Sequence, residues 1–120
     1  MTGTTEMDLT ERGVQQVSLM AKATIGSGKL IDPARIRIVY VSPRTRATDT
    51  LNLLRAHASD TVKWEVKETE EVAEWDYGDY EGLTREEVRK SRETLGIDQE
   101  REWSVWRDGC PGGEYEQLYL

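Results

Sequence analysis

Two arginines, Arg44 and Arg46, follow Ser42-Pro43 at the point where the apolar run 36–41 gives way to a helical pattern. That is a physical recipe for holding a phosphate. A helix start leaves backbone N–H groups unpaired, and the helix dipole is positive there. Arginine adds a permanent charge and a planar fork of donors that grips phosphate oxygens bidentately. The alternative is a capped helix with solvated arginines, and spacing alone leaves both readings open.

A second cluster lies in Glu74-Trp75-Asp76-Tyr77-Gly78-Asp79-Tyr80-Glu81-Gly82. A glutamate packed among Trp and Tyr rings loses water, so its pKa rises. A raised pKa makes a carboxyl useful as a general acid at neutral pH. The competing reading is an acidic, solvated loop. The spacing does not fit a calcium loop, which needs oxygen ligands at its first, third and fifth positions ahead of its glycine.

Three other features carry less. Gly26-Ser27-Gly28-Lys29 invites a nucleotide-binding reading, but position 23 is Ala, position 30 is Leu, and the segment follows a helix pattern; it reads as a helix-ending turn. Cys110 lies near Asp108 and Glu114 with no arginine after it, so nothing lowers its pKa toward a reactive thiolate. His57, the only histidine, falls about three turns beyond the arginine-bearing helix start, where the dipole favours it as a C-terminal residue.

These groups belong to a chain of 120 residues, the size of one domain, and a single domain over 1–120 is expected. Asp and Glu outnumber Lys and Arg by 23 to 16, which argues against a general nucleic-acid binder. A small phosphorylated substrate stays open, because a pocket can be basic on an acidic protein. One cysteine forbids an internal disulfide and fits a reducing, cytoplasmic setting. No apolar run approaches the roughly 18 residues of a membrane span, and no signal-peptide pattern opens the chain. Phe is absent, and four Trp and five Tyr supply the large side chains.

The elements that must position these groups follow from local pattern. Thr10 reads as the N-cap of a helix to about Thr24, with Val14, Val17 and Ala21 on one face and Met20 beside them, ending at Gly26-Ser27-Gly28. The apolar run 36–41 predicts a strand buried on both faces. Ser42 is expected to cap the next helix with Pro43 at its first position, and Ala47, Leu51, Leu54 and Ala58 to form its buried stripe. Residues 62–66 alternate as a half-exposed strand, and 72–82 form a loop. Thr84 and Glu87 make a capping box for a helix stopping at Gly96. Asp98 is expected to cap a short helix carrying Trp103 and Trp106, and 108–113 to form a turn-rich loop. This order predicts an α/β protein. Two strands do not make an independently stable sheet, so flanking strands are expected to be missing.

Taken together, these stretches resemble the histidine phosphatase superfamily, the phosphoglycerate-mutase-like enzymes, over roughly residues 2–114. Thr2-Gly3-Thr4-Thr5-Glu6-Met7-Asp8-Leu9-Thr10-Glu11-Arg12-Gly13 resembles the family's substrate loop and first helix. Ser42-Pro43-Arg44-Thr45-Arg46-Ala47-Thr48-Asp49-Thr50 resembles its second phosphate-binding signature, and the segment from Glu74 to Gly82 its general-acid segment. Trp103, Trp106, Arg107-Asp108-Gly109-Cys110 and Gly112-Gly113-Glu114 resemble a narrower branch, the fungal sedoheptulose-1,7-bisphosphatase-like phosphatases.

The resemblance implies a three-layer α/β histidine-phosphatase fold, incomplete here, with the first and a later central strand missing. It implies a two-step transfer in which a histidine takes the phosphoryl group, arginines neutralise the phosphate oxygens, and a glutamate protonates the leaving alkoxide. Arg46 falls on the phosphate-clamping arginine, Glu74 on the general acid, Tyr77 on a substrate-contacting tyrosine, Thr2 and Gly3 on the substrate loop, and Arg107 on a position near the sugar or its distal phosphate. Arg44 has no fixed family role. Arg46 and Glu74 are expected to share one anion cradle. No metal or cofactor is implied; the partner is a sugar phosphate, with no nucleic acid and no membrane, and a homo-oligomer is admitted.

The family's nucleophile sits in an Arg-His-Gly motif upstream of the substrate loop, and its second histidine lies downstream of the Gly-Gly-Glu turn. Neither motif is in this sequence, and Tyr115 stands where the family has Ser or Thr. The chain is therefore expected to be truncated at both ends and inactive alone. The remaining alternatives are a dead remnant kept as an interaction module and a phosphoglycerate-mutase-type phosphotransferase.

Overall fold

The structure is a computed structural model that describes residues 1–58 and 63–113. The chain divides into two compact units: Glu6–Ala73, and Met1–Thr5 together with the chain from Glu74 onward.

The first of these units holds α1 (Glu11–Thr24), β1 (Ile38–Val41), α2 (Thr45–Arg55) and β2 (Glu65–Glu68). Thr10 caps α1 as its sequence predicts, its hydroxyl accepting the Gly13 amide at 3.0 Å. The helix ends into a turn where Gly26 and Gly28 take positive φ, and Ile25 bridges to Ile31 across it. Lys29 donates to the Lys22 carbonyl at 2.6 Å, so the Gly-Ser-Gly-Lys segment closes a helix. Of the face predicted for α1, only Ala21 is buried, while Val14 and Met20 are exposed.

β1 and β2 pair in parallel, with Ile38 opposite Glu65 and Val41 opposite Glu68, and α2 forms the connection between them. α2 packs on both α1 and β1, and Leu51 is its buried anchor. The predicted burial of β1 on both faces is corrected: Val41 is buried, but Ile38 and Tyr40 are 40% and 57% exposed. Ile38 and Tyr40 alternate with Val39 and Val41 and share the exposed face, and among the described residues the sheet has two strands. β2 starts later than predicted and is exposed throughout. Val62, placed in that strand from sequence, lies outside the described residues. Trp64 precedes the strand and donates its indole N–H to the Pro33 carbonyl at 3.1 Å.

The start of α2 also differs from expectation. Its N-cap is Arg44, which makes no side-chain capping bond, and Pro43 lies outside the helix. The Ser42 hydroxyl lies 3.4 Å from the Arg44 amide, too long to act as a strong cap. Glu6 supplies the cap: its Oε2 accepts the Thr45 amide at 2.9 Å and the Thr45 hydroxyl at 2.8 Å. The helix stops at Arg55, so His57 sits exposed in the following turn.

The other unit is built on α3 (Arg85–Thr94) and α4 (Val105–Asp108). The Thr84–Glu87 capping box opens α3, and Gly96 turns the chain at positive φ after it. The core groups Tyr80, Val88, Val105 and Cys110, with Met1, Trp75, Tyr77, Leu83 and Trp103 packed around them. Asp98 caps no helix; Ser104 is the N-cap of α4. Asp98 instead takes two bonds from the Arg92 guanidinium, at 2.8 and 2.7 Å. Arg92 also donates to the Tyr80 hydroxyl at 2.8 Å and lies over the Trp103 ring.

Candidate functional site

The segment 74–82 is an ordered loop that contains one turn of 3-10 helix, Gly78–Tyr80, and buries Tyr80. Its shape is set by glycines at close approaches. Gly78 has φ +51°, and a Cβ there would lie 2.1 Å from the Pro111 carbonyl oxygen. A Cβ on Gly113 would lie 2.4 Å from the Asp76 carbonyl oxygen. Asp79 donates its amide to Pro111 at 2.8 Å, so the turn 109–113 is seated directly on the acid-bearing loop. The glycines of the predicted Gly-Gly-Glu motif are thus packing requirements; Glu114 itself lies outside the described residues.

The first residues of the chain run along the same loop. The Met1 amino group donates to the Leu83 carbonyl, and the Gly82 amide donates to the Met1 carbonyl at 2.8 Å. Gly3 is buried, and a Cβ on it would lie 1.7 Å from the Trp75 carbonyl oxygen. Only glycine lets the backbone pass there. The Gly3 and Thr4 amides both donate to Glu81 Oε1, at 2.8 and 3.0 Å. The Thr5 hydroxyl donates to Glu81 Oε2 at 2.7 Å. Burial pushes the Glu81 carboxyl up, but the Thr5 hydroxyl and the amides of Thr4, Gly3 and Tyr77 outweigh it and hold its pKa at about 2.

Glu74 does not sit in the water-poor aromatic setting expected of it. Its residue is exposed, its Oε1 accepting the Trp75 amide at 3.0 Å and, more weakly, the Tyr77 hydroxyl at 3.4 Å. The rings stack elsewhere: Trp75 meets Trp106 edge-on at 5.4 Å, and Tyr80 meets Trp103 at 5.3 Å. The Tyr77 phenol is pushed up, first by burial and then by the Glu74 carboxylate beside it. An exposed carboxyl with a phenol at its side can exchange protons with a bound substrate and with water.

Of the predicted site residues, Glu74, Tyr77, Thr2, Gly3 and Arg107 therefore lie in one unit, and Glu74 and Tyr77 are in contact. Arg107 is turned to its own neighbourhood. It pairs with Asp108 at 2.9 Å and donates to the Glu102 carbonyl at 2.6 Å. Arg46 belongs to the other unit, in the first turn of α2. Two residues before it, Arg44 bridges Glu6 at 3.2 Å and Glu70 at 3.1 Å. Arg44 thus orders the helix start. Glu81 is a functional candidate that the sequence marks only as part of a motif, because its Gly3, Thr4 and Thr5 partners are 76 to 78 positions away.

Among the described residues no cluster of His, Cys, Asp and Glu could hold a metal ion, and no helix is long and apolar enough to cross a membrane.

A profile of the histidine phosphatase superfamily (branch 1) matches residues 1–119. The chain is 35% identical over 118 residues to the sedoheptulose 1,7-bisphosphatase of Saccharomyces cerevisiae, covering 97% of this chain and 44% of that protein. It is 41% identical over 113 residues to an acid phosphatase of Mycobacterium tuberculosis, covering 94% and 46%. It thus spans about half the length of the curated relatives it matches. Among solved structures, the α-ribazole phosphatase of Shigella flexneri superposes with a TM-score of 0.64 at 19% identity, over 99% of this chain and 52% of that one. That likeness shows the fold: α/β, a mix of helices and a parallel sheet.

Proposed function

From the premise that this chain belongs to the histidine phosphatase superfamily, branch 1, we propose that it carries the proton-donor and phosphate-clamp half of a metal-independent sugar-phosphate phosphatase. The substrate class is a sugar bisphosphate, with a seven-carbon 1,7-bisphosphate as the leading candidate. Its similarity to the yeast sedoheptulose bisphosphatase supports that choice.

The reaction runs in two steps. A family histidine attacks phosphorus, the P–O ester bond breaks, and Glu74 gives its proton to the departing sugar alkoxide. Water then attacks the phosphohistidine; Glu74 takes back a proton, and phosphate and free histidine are released. Arg46 neutralises the phosphoryl oxygens as charge gathers on them. Tyr77, Thr2 and Gly3 border the sugar, and Arg107 reaches its distal end by exchanging Asp108 for a phosphate.

The observation that carries this reading is the exposed Glu74 carboxylate beside the Tyr77 hydroxyl, on a loop against which the Thr2-Gly3 backbone is fixed. The test is a hybrid in which this chain replaces the matching half of the yeast bisphosphatase. Phosphate release from sedoheptulose 1,7-bisphosphate is the expected result, and a folded hybrid that releases none counts against the assignment.

A second reading applies to the 120 residues by themselves. Their one histidine, His57, lies in an exposed turn beyond α2, which favours a non-catalytic role for this chain alone. Trapping with a labelled sugar phosphate separates the two: the hybrid acquires phosphohistidine and the lone chain does not.

A further inference from the structure

We propose that Glu81 is a positioning residue whose carboxylate latches the Gly3-Thr4-Thr5 backbone onto the loop that carries Glu74 and Tyr77. The role rests on the reading of that loop as the proton-donor segment and of Thr2-Gly3 as substrate loop.

One carboxylate gathers donors from two stretches of chain. Oε1 accepts the amides of Gly3 and Thr4, and more weakly the Tyr77 amide at 3.4 Å. Oε2 accepts the Thr5 hydroxyl. Bonds to an ionised acceptor are about twice as strong as neutral ones. Met1 ties the same stretch to this unit, bonding to Gly82 and Leu83. Without Glu81 the amides of Gly3 and Thr4 would lose the carboxylate that receives them.

The latch reaches the proton donor through packing. It holds Gly3 against the Trp75 carbonyl, where a Cβ would not fit. Trp75 in turn donates its amide to Glu74 Oε1. The Tyr77 amide points back to Glu81 while its hydroxyl points to Glu74. Glu81 therefore acts through its neighbours on the rotamer and hydrogen bonding of Glu74. Gly3 and Thr4 spend their amides on it and serve the site as shaped backbone.

The test uses the 120-residue chain and NMR. In Glu81→Ala, amide exchange at Gly3 and Thr4 should rise at least about tenfold, the scale expected for losing a bond to a charged group, while Val88 in α3 exchanges as before. Tyr77 supplies the second readout. Its phenol is held up partly by Glu74, and Glu81 adds a small direct charge effect. Glu81→Gln removes that charge but keeps an acceptor oxygen for the two amides. It should retain most of the Gly3 and Thr4 protection, and its Tyr77 titration should shift less than in Glu81→Ala.

Unchanged exchange at Gly3 and Thr4 in Glu81→Ala overturns the latch, and identical Tyr77 titration in the two variants overturns the positioning role. If Glu81→Ala also exposes Val88, Thr5→Ala decides: it must loosen Gly3 and Thr4 with Val88 still protected, and equal exchange rejects the proposal. Added sedoheptulose 1,7-bisphosphate separates this from the functional reading. Unmoved Thr2 and Tyr77 signals in the unsubstituted chain count against the phosphatase assignment, whatever the exchange data say of Glu81.

Discussion

Glu6 caps α2 from 39 positions away, its carboxylate accepting both the amide and the hydroxyl of Thr45. These bonds, with the adjoining Arg44, hold the Glu6 carboxyl below the usual glutamate range. The negative charge also sits at the positive end of the helix dipole. Glu6→Ala should fray the first turn of α2, seen as faster amide exchange at Thr45 and Arg46 with the middle of the helix unaffected. Added salt should narrow the difference, because the interaction is exposed and screened.

The Glu81 carboxyl provides a pH dependence with a definite sign. Its folded pKa of about 2 lies below the ordinary value of 4.5. A depressed carboxyl stabilises the fold above its unfolded pKa, and that stability drains away as pH falls through the folded one. The melting temperature should therefore drop between about pH 4.5 and 2. Glu81→Gln should flatten part of that drop while starting from a lower value at neutral pH. A variant whose acid profile parallels the unsubstituted protein would show that Glu81 is not among the titrating groups.

Gly78→Ala tests the seating of the 109–113 turn on the acid loop. The new methyl meets the Pro111 carbonyl at 2.1 Å and requires a left-handed backbone as well. Strain and collision together should cost at least about 2 kcal/mol, measured by urea denaturation. Gly82 has φ +79° but nothing within 4 Å of its Cβ position, so Gly82→Ala should cost less, about 1 kcal/mol.

Arg92 ties α3 to the segment before α4 through Asp98, the Tyr80 hydroxyl and the Trp103 face. Both charged side chains are largely withdrawn from water, so removing one strands the other. Arg92→Ala should destabilise by about 2–4 kcal/mol, and Arg92→Lys should recover little, because an ammonium cannot reproduce the two-pronged bond to Asp98. Recovery of full stability by lysine would reduce the interaction to charge alone.

In the hybrid with the yeast enzyme, Glu74→Gln should lower kcat by about 10² to 10⁴, the range of a lost general acid. Arg46→Ala should lower kcat/KM by about 10² to 10³ through weaker charge stabilisation. Steady-state phosphate release checks both. A hybrid indifferent to Glu74→Gln removes that residue from the chemistry.

Much of the local structure was legible in the sequence because its causes are local. The Thr10 cap, the Thr84–Glu87 capping box, the glycine turns after α1 and α3 and the α/β order each depend on residues a few positions apart. The motif order also sufficed to indicate the histidine phosphatase superfamily. Tertiary structure decided what depends on distant partners. It gave the cap of α2 to Glu6 instead of Ser42, and left Glu74 exposed while Tyr80 took the buried place among the rings. It also gave Glu81 its partners at the other end of the chain. Sequence spacing reports which groups can meet within one turn or strand. Which carboxylate wins a given N–H across dozens of residues depends on how the chain packs, and that is settled only when the whole fold forms.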